Sequence, residues 1–169
     1  MKMKKVLMIL ICLAVVFAMA GTVSGDKGIN GNLSDTIEIK YNVEESYIVT
    51  IPGAVTFAGA GLTGSGFVSA TQVLIADGNT LTVFMDSNNG FVDESFYLKC
   101  GDNPVSKILY EIKLGANPIT QNHYPVLTVS AGTTLGSAEL TFSTTEGNIK
   151  GATKSGDHID TLTFTCSVA

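Results

Sequence analysis

An all-β domain of short antiparallel strands is the fold class this sequence predicts, and three observations predict it. From residue 36 onward, apolar residues recur at every second position within short runs. Gly, Asn, Asp and Pro interrupt those runs, so that a turn is expected roughly every 8–14 residues, the spacing of a small β-sandwich. No stretch of twelve residues beyond the first twenty carries an apolar period of 3.6, so no sizeable helix is expected.

The first twenty residues read differently. Met1-Lys2-Met3-Lys4-Lys5 is a basic start, Val6 to Ala18 an apolar run of 13, and Ala18-Met19-Ala20 a small-residue cleavage site. That is the pattern of a secretory signal peptide; a membrane span needs about 18 or more apolar residues. Cys12 lies within the apolar run and is a poor lipidation site, since Ile11 precedes it where a small residue is wanted. Cleavage after Ala20 leaves 149 residues, the size of one domain. Residues 21–34 are glycine-rich and polar and are expected to form a flexible arm, with the folded domain spanning 35–169.

Within that domain the strands follow in order. Thr36-Ile37-Glu38-Ile39-Lys40-Tyr41 alternates cleanly, and Tyr47-Ile48-Val49-Thr50-Ile51 follows, stopped by Pro52-Gly53. Val55-Thr56-Phe57 is brief and leads into a glycine-rich stretch over 58–66. Val73-Leu74-Ile75, Leu81 to Met85 and Ser95 to Leu98 come next, divided by turns at Asp77-Gly78-Asn79 and Asn88-Asn89-Gly90. Ile108 to Ile112, Val126 to Val129, Ala138 to Phe142 and Thr161 to Cys166 complete about nine strands. The sequence ends close behind the last of them, so no sorting motif or hydrophobic anchor is expected.

Charge narrows the classes of partner. There is no arginine, and three of the ten lysines lie in the signal; seven lysines then face fifteen acids, for a net charge of −8. Such a surface repels nucleic acid and anionic membranes, so neither is an expected partner. Two cysteines remain, Cys100 and Cys166. Both are in phase with inward-facing neighbours, Phe96 and Leu98 for one, Leu162, Phe164 and Val168 for the other. An even pair in an exported chain predicts a disulfide, the alternative being two buried thiols. Closing that loop would add roughly 4 kcal/mol in the chain-entropy model.

Several segments mark a family. Glu45-Ser46-Tyr47-Ile48-Val49-Thr50-Ile51-Pro52 opens the match, and Val126-Leu127-Thr128-Val129-Ser130-Ala131-Gly132-Thr133 continues it. Gly136-Ser137-Ala138-Glu139-Leu140-Thr141-Phe142 and Asp160-Thr161-Leu162-Thr163-Phe164 close it. Together they resemble secreted immunoglobulin-like β-sandwich surface proteins of Gram-positive bacteria and some archaea, and more distantly pilin and spore-coat sandwiches. The resemblance covers roughly residues 35–169 and implies an antiparallel sandwich of about 7–9 strands. It implies no activity, because its motifs are strand and turn residues. Cys100 and Cys166 stand where that family has ordinary residues.

Candidate chemistry is sparse. Gly59-Ala60-Gly61-Leu62-Thr63-Gly64 has the spacing of a dinucleotide loop, but that site needs a helix behind it to hold the pyrophosphate. The residues that follow include Val68, Thr71, Val73 and Ile75, all β-branched, so a glycine-rich loop is expected instead. Gly61 and Gly66 share the glycine spacing of a P-loop, yet Phe67 and Val68 replace its Lys and Ser/Thr. Asp157-His158-Ile159-Asp160 puts His158 and Asp160 on one strand face, too few ligands for a metal; His123 is expected in a loop without a partner. Asp86-Ser87-Asn88-Asn89-Gly90 is short of a calcium loop, since glycine falls one position early and Tyr97 replaces the glutamate; a hairpin turn is expected. A Lys–Asn isopeptide bond would need an asparagine on the last strand to meet Lys40, and that strand has none. Asn32-Leu33-Ser34 fits an N-glycosylation acceptor.

No enzyme, cofactor or metal site is therefore expected. The expected function is that of a secreted structural or adhesive surface protein, a pilin-like or matrix subunit acting through strand edges on copies of itself or other surface proteins. Residues 21–43 are the expected donor strand. The alternative is a carbohydrate-binding or accessory module, for which Tyr97, Tyr110 and Tyr124 would supply glycan contacts although the chain lacks tryptophan.

Overall fold

The structure is a computed structural model and describes residues 40–57 and 62–169. The expected signal peptide, the expected 21–34 arm with Asn32, and most of the strand expected at 36–41 lie outside the described residues. Those described form an all-β fold of ten strands and one five-residue helix.

The strands are β1 (Ser46–Thr50), β2 (Thr63–Leu74), β3 (Thr80–Ser87), β4 (Phe91–Val92), β5 (Ser95–Cys100), β6 (Ser106–Leu114), β7 (Asn117–Pro118), β8 (Tyr124–Ser130), β9 (Leu135–Ser143) and β10 (Leu162–Val168). One sheet has the order β1-β2-β9-β6-β5-β4, with β7 paired to β6; a second has the order β10-β3-β8. Every pairing is antiparallel. The two sheets share one core. Val68, Ala70, Ile112, Leu140 and Phe142 from the first meet Leu81, Val83, Met85, Val126 and Val129 from the second.

Period-two sequence explains most strands. In β3, Leu81, Val83 and Met85 are buried while Thr82, Phe84 and Asp86 alternate outward. In β9, Leu140 and Phe142 point into the core, and Gly136 in the same phase lets Val129 of β8 press against its backbone. A side chain at Gly136 would collide with Val129, so the sheets meet closely there only because it is glycine.

Strand β2 departs from the sequence expectation. It is 12 residues long, and its first four, Thr63–Gly66, lie in the stretch read as a glycine-rich loop, of which residues 58–61 are outside the described ones. Its inward positions are Gly64, Gly66, Val68 and Ala70, then Val73, with Ile75 buried just past its end. The phase switches at Gln72, whose φ of 53° is left-handed, and the β1 register slips at the same place, from Ile48↔Thr71 to Ser46↔Leu74. A β-bulge of this kind breaks the alternation, and glycine at two inward positions removes the apolar marks. Val55–Phe57, by contrast, forms no strand.

Two further expectations change. Asp86–Gly90 does not close a hairpin: β3 belongs to the three-stranded sheet and β5 to the other, so this turn carries the chain between layers. The hairpin is the β4–β5 pair, turning at Asp93 and Glu94, both with positive φ. The helix α1 (Glu146–Lys150) was too short to leave a period. Thr145 caps it, its Oγ1 accepting from Asn148 N at 3.1 Å, and Glu146 and Lys150 pair across one turn at 2.9 Å.

Candidate functional site: an interlayer cleft beside an edge strand

After β1, Pro52 ends strand pairing and the chain turns inward across the inner face of β2. Pro52 Cβ stands 2.6 Å from where a Cβ on Gly66 would be, and Val55 closes in the same way on Gly64. Both glycines are required for this approach, because any side chain would lift residues 51–57 away from the sheet. Between this segment and β10 lies a cleft of about 260 Å³. Ile51, Val55, Phe57, Phe142, Leu162 and Phe164 make its apolar walls, and Tyr110 and Asp160 supply its polar groups.

Asp160 is fully engaged. Its Oδ2 accepts from Tyr110 OH at 2.6 Å and Ser87 Oγ at 2.7 Å; its Oδ1 accepts from Thr161 N at 2.8 Å and Asn89 N at 3.2 Å. Burial pushes the Tyr110 hydroxyl far above its usual range, and the hydrogen bond to Asp160 and that carboxylate's charge push the same way. Tyr110 is therefore a fixed donor. Asn89 Nδ2 completes the knot by bonding Tyr97 O and Ile159 O, each at 2.9 Å. With four donors its acceptor positions are all occupied, and the group joins β3, β6 and the start of β10.

His158 and Asp160 do not converge. His158 Nε2 meets Ser106 Oγ at 2.8 Å and its Nδ1 meets Gly156 O at 3.1 Å. A carbonyl can only accept, so in the neutral ring Nδ1 carries the hydrogen and Ser106 donates to Nε2. That is the polarity of a Ser–His nucleophile pair. Yet Ser106 is 0% exposed and already accepts from Thr153 N at 2.9 Å and Lys154 N at 3.2 Å. Its oxygen is saturated and out of reach, and the pair pins the 151–159 segment to β6. Sequence reasoning passed over Ser106, whose signal was only its inward phase with Tyr110 and Ile112.

His123 has partners that the sequence did not suggest. Its Nδ1 lies 3.0 Å from Asp86 Oδ2, and its ring stacks on Phe84 with centroids 4.4 Å apart and an interplanar angle of 6°. Asp86 is thereby committed to an imidazole. Among the described residues no group of three or more His, Cys, Asp or Glu could hold a metal ion.

No disulfide joins Cys100 to Cys166. Cys100 is partly buried, with Sγ 3.8 Å from Ser155 O. Cys166 is exposed although it shares the inward phase of Leu162 and Phe164. The expected burial of Cys166 fails: among the described residues β10 ends its sheet, and the core cluster does not extend over that position.

The three tyrosines do not share a surface. Tyr110 is inside, Tyr97 is on the outer side of β5 beneath Lys107 Nζ, 4.2 Å from the ring centroid, and Tyr124 begins β8 in the other sheet. Of the dinucleotide-like loop, Gly59, Ala60 and Gly61 lie outside the described residues. Thr63 and Gly64 belong to β2, which continues as strand, so no helix N-terminus follows. Among the described residues no helix is long and apolar enough to cross a membrane. Comparison with protein families, curated proteins and solved structures finds no match to this chain.

Proposed function

We propose that this chain is a secreted structural subunit of the cell surface, an immunoglobulin-like β-sandwich that assembles with copies of itself by exchanging strands at sheet edges. The observation that carries this reading is the juxtaposition of β10, which ends its sheet among the described residues, with an apolar cleft beside it. An edge offers backbone donors and acceptors, and a neighbouring cleft offers pockets for alternate side chains. Such a pair suits an extended strand better than a compact solute. The polar groups around it support the same reading, since Asp160, Tyr110, Ser106 and His158 are spent on one another and on the backbone.

The basic start and apolar run of residues 1–20 support export, and the acidic mature chain, −8 in net charge, suits a soluble precursor that assembles outside the cell. Residues 21–43 are the exchanged arm. A synthetic peptide of residues 21–43 tests this: added in excess, it should occupy the edge and shorten or dissolve the multimers. Multimers unaffected at saturating peptide would refute exchange through this arm.

A further inference from the structure

We propose that β8 is a separate pairing edge, on which two copies of this chain join antiparallel about a two-fold axis at Thr128. The inference goes beyond the preceding reading, since it uses neither β10, nor the cleft, nor residues 21–43.

The free backbone follows from the hydrogen bonding of β3. Thr80 turns both its main-chain groups to Ala169, with Thr80 N to Ala169 O at 2.8 Å and Ala169 N to Thr80 O at 3.1 Å. Main-chain groups alternate in direction along a strand, so Leu81 and Val83 turn the other way, to Val129 and Leu127 of β8. Ala131 keeps that phase, its N donating to Asn79 O at 3.2 Å. Thr128 and Ser130 therefore turn their main-chain groups away from β3. On that side β8 ends its sheet, and Thr128 N and O have no partner among the described residues.

The limits of this edge select its occupant. Pro125 has no N–H to offer, and the register with β3 slips beside it, between Val83 and Phe84, so a ladder stops there. At the other end Ser130 O is taken by Thr133, whose N lies at 3.2 Å and whose Oγ1 lies at 2.7 Å. What remains is a short stretch centred on Thr128. A long foreign strand would leave its own groups unpaired at both ends. An identical β8 crossing antiparallel does not: each Thr128 donates its N–H to the other's C=O, and each Pro125 falls beyond the ladder, opposite Ala131 of the other copy.

Charge and side chains agree with this partner. Tyr124–Ser130 contains no charged residue, in a chain that carries −8 after residue 20. Like-charged copies repel least where neither presents a charge, and edges protected against pairing commonly carry lysine. Thr128 is exposed, and its Oγ1 lies 3.4 Å from Thr82 Oγ1. Pairing extends this contact across the axis to the copy's Thr128 and Thr82, and cross-strand threonine pairs are favourable. Each copy brings three strands, β10-β3-β8, so the two small sheets become one continuous sheet. The contact uses the same surface on both copies and closes at a dimer. So short an interface is reversible, formed at high concentration and lost in SDS.

Thr128→Pro is the direct test. It removes the outward N–H and leaves the bonds to β3 in place, and proline is tolerated on an edge strand with that side free. Sedimentation of the exported chain without SDS should show a monomer–dimer equilibrium, weakened by about tenfold or more in Thr128→Pro with Tm little changed. Thr128→Cys, combined with Cys100→Ser and Cys166→Ser, gives a second reading: mild oxidation should join two chains through position 128. A wild-type chain that stays monomeric, a dimer that Thr128→Pro leaves intact, or a dimeric Thr128→Cys variant that does not crosslink would overturn the proposal. The 21–43 peptide in excess should leave this dimer unchanged; a dimer that it dissolves is held by the arm, and would overturn pairing through β8.

Discussion

Asp160 sits where the two sheets and the approach to the last strand meet, and its four hydrogen bonds link Ser87, Asn89, Tyr110 and Thr161. Replacing Tyr110 by Phe removes a bond to a charged acceptor and should cost about 1.5–3 kcal/mol in denaturant unfolding at neutral pH. The pH dependence has a definite sign. The folded hydroxyl titrates above the unfolded value of 10.0, so its contribution is complete below that pH and is lost as pH rises beyond it. The wild-type chain should lose about 1.4 kcal/mol of stability per pH unit above 10 from this group, and Tyr110→Phe should lack that slope. Equal alkaline slopes in the two proteins would show that the hydroxyl is not held protonated.

At this scale the sequence was half legible. The run Asp157–Asp160 drew notice because a histidine and a carboxylate shared a strand phase, and both prove to be fixed polar anchors. Their partners were not legible, since Ser106 lies 52 residues from His158 and Tyr110 lies 50 from Asp160. Contacts that distant depend on which strands pair, and no local pattern encodes that.

Among the elements, β2 was the hardest to read and is the one on which the cleft depends. Its inward face begins Gly64, Gly66, and its phase reverses at Gln72, so alternation marked only its end, at Val73 and Leu74, although Val68, Thr71 and Val73 are β-branched. Strands with unbroken alternation, such as β3, β9 and β10, were legible because a two-layer core writes its period directly onto them. The glycines have a structural price in sequence legibility and a structural use in approach: residues 51–57 pack onto β2 only because nothing projects from those two positions. Gly66→Val should therefore destabilise the fold by about 1–3 kcal/mol, through a clash with Pro52. Thermal unfolding checks it, and a Tm equal to wild type would mean that the segment is not held against β2.

For the molecule as a whole, the legible part was the class: an all-β fold in antiparallel sheets, recoverable from alternation and turn spacing. Cysteine parity misled, because two thiols in matching phase are not thereby neighbours; Cys100 belongs to the larger sheet and Cys166 to the smaller. A bond between them would raise Tm by roughly 10 °C. The structure instead predicts the same Tm with and without reductant, and a drop of several degrees on reduction would contradict it.

Assembly belongs to this scale too. On the proposed reading, the apolar cleft beside β10, whose surrounding polar groups are engaged with one another, is the surface that takes a neighbour's chain. The most direct test is the assembly state of the protein purified from the native cell surface without reductant, compared with a chain lacking residues 21–43. The account predicts SDS-resistant multimers from the intact protein and monomers from the shortened one. An intact protein that stays monomeric at high concentration would contradict it.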